Sequence, residues 1–228
     1  MFELHVYRDV QQLARAVADA IATELTWAIQ QRGIASFAVS GGTTPWIMLT
    51  ALARHPVDWD AVHLFQVDER VAPDGDPERN ATSLQERFID VVALPTANRH
   101  LIDISDDLDA SADEYAQTLA EITQGVLDVV HLGLGDDGHT ASLVPGDPIL
   151  DVVDQFVGVT QVYRGHQRIS LTYPTLNAAR RIVWLTNGIS KAAALQQLRC
   201  ADSKIPAGRV AQEHAVAYCD EEAAAPAQ

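Results

Sequence analysis

Between residues 10 and 32, Leu13, Val17, Ile21, Leu25 and Ile29 fall four residues apart. That spacing lines one face of a helix, and Gly33 is the residue type that most readily closes one. The preceding segment, 2–7, reads as a short strand. From residue 35 short apolar runs alternate with helical stretches. Residues 35–40 (ASFAVS) and 62–67 (VHLFQV) predict strands, as do a weaker run at 100–104 and the strongest one, 127–134 (LDVVHLGL). Helices are expected from Pro45 to about residue 54, over 82–92 and over 108–122; proline suits a first helical turn. The pattern then loosens. Strands are expected at 154–163, 168–173 and 181–186, helices at 174–179 and 190–198, and a small strand at the end of 210–219. Residues 221–228 (EEAAAPAQ) read as a frayed tail.

Strands separated by helices imply a parallel sheet covered on both faces. The expected architecture is a doubly wound, mostly parallel α/β sheet with helices on both faces. Residues 1–220 form a single domain, since no linker rich in Gly, Ser or Pro and no internal repeat divides them. Ligands of such folds gather at the carboxyl ends of the strands. The motifs at Gly41, Asp68 and Gly135 each follow a predicted strand, so they are expected to meet at one rim.

Composition narrows the function. With 47% hydrophobic residues, the 228-residue chain can bury a sizeable core. Its net charge of −15 and pI near 4.7 disfavour nucleic acid and anionic membranes as partners. The N-terminus has no basic leader before an apolar run, and no run of roughly eighteen apolar residues occurs. A cytoplasmic protein is expected, acting as a monomer or weak homo-oligomer. Cys200 and Cys219 form no CxxC pair and share no zinc spacing with His, so they read as reduced thiols and no metal is expected. Lys191 and Lys204 are the only lysines. A cation beside a Gly-rich loop therefore gains weight as an anion ligand.

Three segments carry candidate chemistry. Gly41, Gly42, Thr43 and Thr44 lie between a strand and a helix start, where backbone N–H groups, hydroxyls and the helix dipole favour an anion. The loop has neither the GK[ST] of a Walker loop nor a GxGxxG fingerprint. Asp68-Glu69-Arg70 ends a strand; Arg70 is expected to be held by the neighbouring carboxylates and aimed at a phosphate or a carbonyl. Gly133-Leu134-Gly135-Asp136-Asp137-Gly138-His139 puts an imidazole beside two carboxylates. Either Asp136 or Asp137 could fix its tautomer and make His139 a general base. The three glycines imply unusual backbone dihedrals. Downstream, Arg168 begins a strand and Lys191 sits at a helix start, an electrostatic misfit that suggests an anion ligand.

Taken in order, SGGTTP, DER, LGLGDDGHTASLVPG, RISLT–YPTLNAAR and NGISKAAAL resemble the 6-phosphogluconolactonase family from about residue 35 to 198. The resemblance implies a doubly wound fold related to glucosamine-6-phosphate deaminase. It implies that His139, oriented by Asp137 or Asp136, activates water against a phosphorylated sugar lactone. Gly41–Thr44, Arg70, Arg168 and Lys191 would surround the substrate. No cofactor or metal is required, and the lack of a GxSxG elbow disfavours an acyl-enzyme. The chain departs from the family where a Pro-rich, Lys-containing run is usual. It reads Val162-Tyr163-Arg164-Gly165-His166-Gln167, and it carries Arg79 where Ser is usual. Two rival readings are a deaminase-like isomerase and a non-catalytic sugar-phosphate-sensing domain. No Glu follows Gly-His in Thr140–Gly146, against the first; the His–Asp pair counts against the second.

Overall fold

A computed structural model describes residues 2–226. The first helix, α1 (Val10–Arg32), spans the predicted segment. Asp9 caps it by accepting from the Gln11 and Gln12 N–H groups at 2.9 and 2.8 Å. Gly33, at φ 82°, ends it and donates to the Ile29 carbonyl. Leu13, Val17, Ile21 and Leu25 are fully buried along one stripe. Truncating Leu13, Ile21 or Leu25 to Ala should cost about 2–5 kcal/mol.

Seven parallel strands form the main sheet, in the spatial order β1 (Glu3–Tyr7), β10 (Ala215–Asp220), β9 (Arg181–Thr186), β6 (Val129–Gly133), β2 (Ala35–Val39), β3 (Val62–Gln66) and β5 (Arg99–His100). Both faces are covered. Phe37 and Val39 of β2 pack with α1 and α2 (Thr43–Leu52). Ala38, pointing the other way, belongs to the cluster with α4 (Leu108–Thr123), α5 (Tyr173–Ala178) and α6 (Ala192–Arg199). This is the doubly wound architecture expected from the alternation of strands and helices.

From β2 the chain first builds outward through β3 and β5. It then returns to β6 on the other flank and continues to β9 and β10. The strand order therefore reverses between β2 and β6, and the crevice above that point is where such sheets bind ligands. SGGTTP follows β2 and GLGDDGH follows β6, so the two loops flank the crevice.

Several elements differ from expectation. Asp68–Arg70 is a strand of its own, β4, in a three-stranded antiparallel sheet with β8 (Arg168–Leu171) and β7 (Val157–Val159). The helix expected over 82–92 is α3 (Asn80–Leu84) followed by a π-helical turn, Gln85–Ile89. β10 is a fully buried six-residue strand inside the sheet rather than a small terminal one. The tail expected to fray instead turns over 221–225, with Ala223 1% exposed and Glu221 N–H bonded to the Tyr7 carbonyl. Residues 227 and 228 lie outside the described residues.

Candidate active site

A cavity of about 570 Å³ opens above the β2–β6 crevice, a size suited to a small-molecule ligand. It is lined by Gly41–Thr44 after β2, Asp68 and Arg70 on β4, and Gly135 and His139 after β6. Tyr163, Arg164, His166 and Arg168 form another wall, and Thr186, Asn187 and Lys191 follow β9. Gly41–Thr44, Arg70, His139, Arg168 and Lys191, all singled out from the sequence, line this space, while Asp136 and Asp137 do not. Asp137 lies one contact away, bonded to His139.

Of the two aspartates, Asp137 is the one bonded to the imidazole. Asp137 Oδ1 lies 2.5 Å from His139 Nδ1 and accepts the His139 backbone N–H at 3.1 Å; its Oδ2 accepts from the Tyr163 hydroxyl at 2.8 Å. Burial works to raise the Asp137 pKa, but hydrogen bonds from the His139 N–H, Tyr163 and the imidazole outweigh it and hold the carboxyl at about 2. An ionised carboxylate only accepts, so Nδ1 carries a proton and Nε2 is the ring nitrogen left to face the cavity chemistry. Asp136 is exposed and turns the other way, 3.2 Å from Arg164 Nη2 and 4.0 Å from Lys191 Nζ. Lys191 is the chief cause of its lowered pKa.

The glycines serve close approach more than unusual dihedrals. A Cβ on Gly135 would lie 2.0 Å from His139 Nδ1, and one on Gly41 would lie 2.0 Å from Asn80 Oδ1. Of the three glycines in the histidine loop only Gly138 has positive φ, at 81°. Helix α2 starts at Gly42 without a side-chain cap, which leaves its first N–H groups at the cavity. Thr44 does not present a free hydroxyl proton, since its Oγ1 donates to Asn187 Oδ1 at 2.6 Å.

Arg70 is not held by its sequence neighbours. Its Nη1 bonds Glu78 Oε2 at 2.8 Å and the Glu78 carbonyl at 3.0 Å. Glu69 is fully buried and accepts the N–H groups of Arg70, Asn80 and Ala81 at 2.8 Å each, and it faces Arg79 Nε at 3.3 Å. Arg79, the departure noted in sequence, is therefore a structural partner of Glu69. Asp68 accepts from Ser142 Oγ at 2.5 Å, and burial raises its pKa.

Arg168 stands directly across the ladder from Arg70. It is 7% exposed, and its Nε has no hydrogen-bond partner. Like charges facing each other across strands are destabilising, and a buried guanidinium N–H without an acceptor adds to that cost, although the Asp68 carboxylate attracts Arg168. Burial accordingly lowers the Arg168 pKa. An anion between the two arginines would relieve both costs.

The model of the glucosamine-6-phosphate isomerases and 6-phosphogluconolactonases matches residues 8–219. The chain belongs to this glucosamine-6-phosphate isomerase/6-phosphogluconolactonase family. A family member from Nostoc, named 6-phosphogluconolactonase, is 36% identical over 202 residues, 86% of this chain and 84% of the relative. The 6-phosphogluconolactonase of Trypanosoma brucei superposes with a TM-score of 0.87 at 25% identity, covering 98% of each chain. A monomeric glucosamine-6-phosphate deaminase superposes at 0.85 with 19% identity, covering 98% of this chain and 99% of its own, which shows a shared fold.

The sequence reading missed part of this family member's pocket. Asp68 with Ser142 carried no separate signal, because the two lie 74 residues apart. Tyr163 went unplaced because its hairpin was not recognised. Tyr163 and His166 exchange backbone bonds across Arg164 and Gly165, at φ 50° and 91°. Positive φ at both central residues is the tight hairpin geometry usually written Asn-Gly; Arg-Gly hid it.

Proposed function

We propose that the chain is a 6-phosphogluconolactonase, hydrolysing 6-phospho-D-glucono-1,5-lactone to 6-phosphogluconate as a step of the oxidative pentose phosphate pathway. One observation carries this reading. A single cavity holds a carboxylate-oriented imidazole on one wall and, on another, a buried arginine whose Nε has no hydrogen-bond partner. The first suits activation of water, and the second suits a fixed anion.

Neutral His139 takes a proton from water through Nε2 as the water adds to the lactone carbonyl. Asp137 stabilises the resulting imidazolium. Arg70 and loop N–H groups steady the oxyanion of the addition intermediate. The intermediate collapses, the ring C–O bond breaks, and His139 returns its proton to the departing ring oxygen. Gly41–Thr44, Arg168 and Lys191 hold the phosphate. No step requires a metal or cofactor. We also propose that the chain works in the cytoplasm as a monomer or weak homo-oligomer; no helix of the described residues is long and apolar enough to cross a membrane.

The test is His139→Ala, assayed above the spontaneous background. Turnover should fall by roughly 100-fold or more with KM little changed. A folded variant that turns over like the wild type removes His139 from the role of base. Glucosamine 6-phosphate should release no ammonia with the wild-type protein.

A further inference from the structure

The His139–Asp137 pair is continued by a third group from a different part of the chain. The β7–β8 hairpin, from the small sheet, leans its tip over the loop that follows β6. At that tip the Tyr163 hydroxyl donates to Asp137 Oδ2 at 2.8 Å, while Oδ1 holds the imidazole at 2.5 Å. The Tyr163 ring also meets the imidazole edge-on, with centroids 5.6 Å apart. The Arg164 and Arg168 guanidinium carbons each lie 5.1 Å from the ring centroid. Tyr163 thus touches the base, the carboxylate behind it and the arginine assigned to the phosphate.

We infer that Tyr163 is a positioning residue that sets the basicity of His139 through Asp137. The inference rests on the reading of His139 as the base. A hydroxyl on Oδ2 draws carboxylate charge away from Oδ1. Less charge then faces the imidazole, so imidazolium is stabilised less and the ring stays neutral to lower pH. The raised Tyr163 pKa, caused by burial and then by Asp137, fits a proton kept on the phenol. Other charged or titratable groups around the cluster are Asp136 and Arg164 at the loop ends, Lys191 after β9, Arg168 and His166 on the hairpin, and Asp68 and Arg70 on β4. A change confined to the hydroxyl leaves all of them in place.

Tyr163→Phe is that change, since the ring keeps its contacts with both arginines. Two readouts are needed: the pH profile of kcat/KM, and an NMR titration of the imidazoles. The chain has eight His, and His139→Asn identifies the signal of interest by its loss. In Tyr163→Phe the His139 titration and the acidic limb should both move up by about half to one pH unit. Rates on that limb should fall roughly 3- to 10-fold, with the plateau rate and KM within about twofold of wild type. An unshifted His139 titration overturns the inference, whether turnover is unchanged or falls equally at every pH. If instead His139→Asn keeps wild-type turnover, the base assignment fails. The imidazole titration still decides the coupling to Tyr163, because it needs no turnover.

Discussion

At Arg168 the sequence and the structure point to the same proposed role on different grounds. Its position before an alternating segment suggested only a strand end, and the family resemblance supplied the ligand role. What favours the proposed role is a buried Nε without a hydrogen-bond partner opposite Arg70, which no local pattern encodes. Charge-assisted bonds contribute about 1.5–3 kcal/mol each, so Arg168→Ala should raise KM for the phosphorylated lactone roughly 10- to 150-fold. Lys191→Ala should act in the same direction. Neither should alter the low activity expected on the unphosphorylated lactone. Equal damage to both substrates in steady-state kinetics would mean structural disruption rather than a lost phosphate contact. His139 and the glycines around it were legible because the chemistry and the close approach lie within one short loop. Arg70 was misread, because its true partner, Glu78, is eight residues away across a turn.

Elements with a strong period were read well, and short or charged ones were not. Helix α1 and strand β9 match their predicted spans, while β4 is three residues, all charged. β10 was undervalued because the strand that covers its outer edge, β1, is remote in sequence. The outer strands β3 and β5 hold a feature with a pH signature. His63 Nδ1 and His100 Nε2 lie 3.0 Å apart, with the rings stacked. Burial, and then His63, lower the His100 pKa to about 4; burial lowers that of His63 too. In the unfolded chain each protonates near about 6.5. Between these values the unfolded chain binds more protons, so this contribution is full above about pH 6.5 and is lost as pH falls toward 4. Tm should therefore drop between pH 7 and pH 5, and His100→Gln should flatten part of that slope. A Tm that stays level over this range in the wild type rules the pair out as an acid-sensitive element. His131, buried in β6 with its pKa lowered to about 3, accounts for some slope that survives the substitution.

The whole molecule sets a basic island in an acidic body. Net charge is −15, yet Arg70, Arg164, Arg168 and Lys191 all line one cavity. A freely diffusing anion is repelled by most of this surface and held at one place on it. The proposed chemistry places every proton and charge on these side chains, so full activity should survive exhaustive chelation. Activity lost to chelator and restored by one divalent ion would require a different mechanism. The order of the sheet has a further consequence, for the making of the protein. Among the described strands β1 is made before the rest, but its one partner in the sheet is β10, which is made after them. Until residue 220 is free, β1 and β9 each expose an unpaired edge of a kind that recruits other chains. The nascent enzyme is thus at its most vulnerable just before synthesis passes that point. A stalled chain ending near residue 210 should remain protease-sensitive and bind chaperones, whereas one extended so that residue 220 clears the exit tunnel should become resistant. Resistance already present in the shorter chain would show that the sheet closes without its last strand.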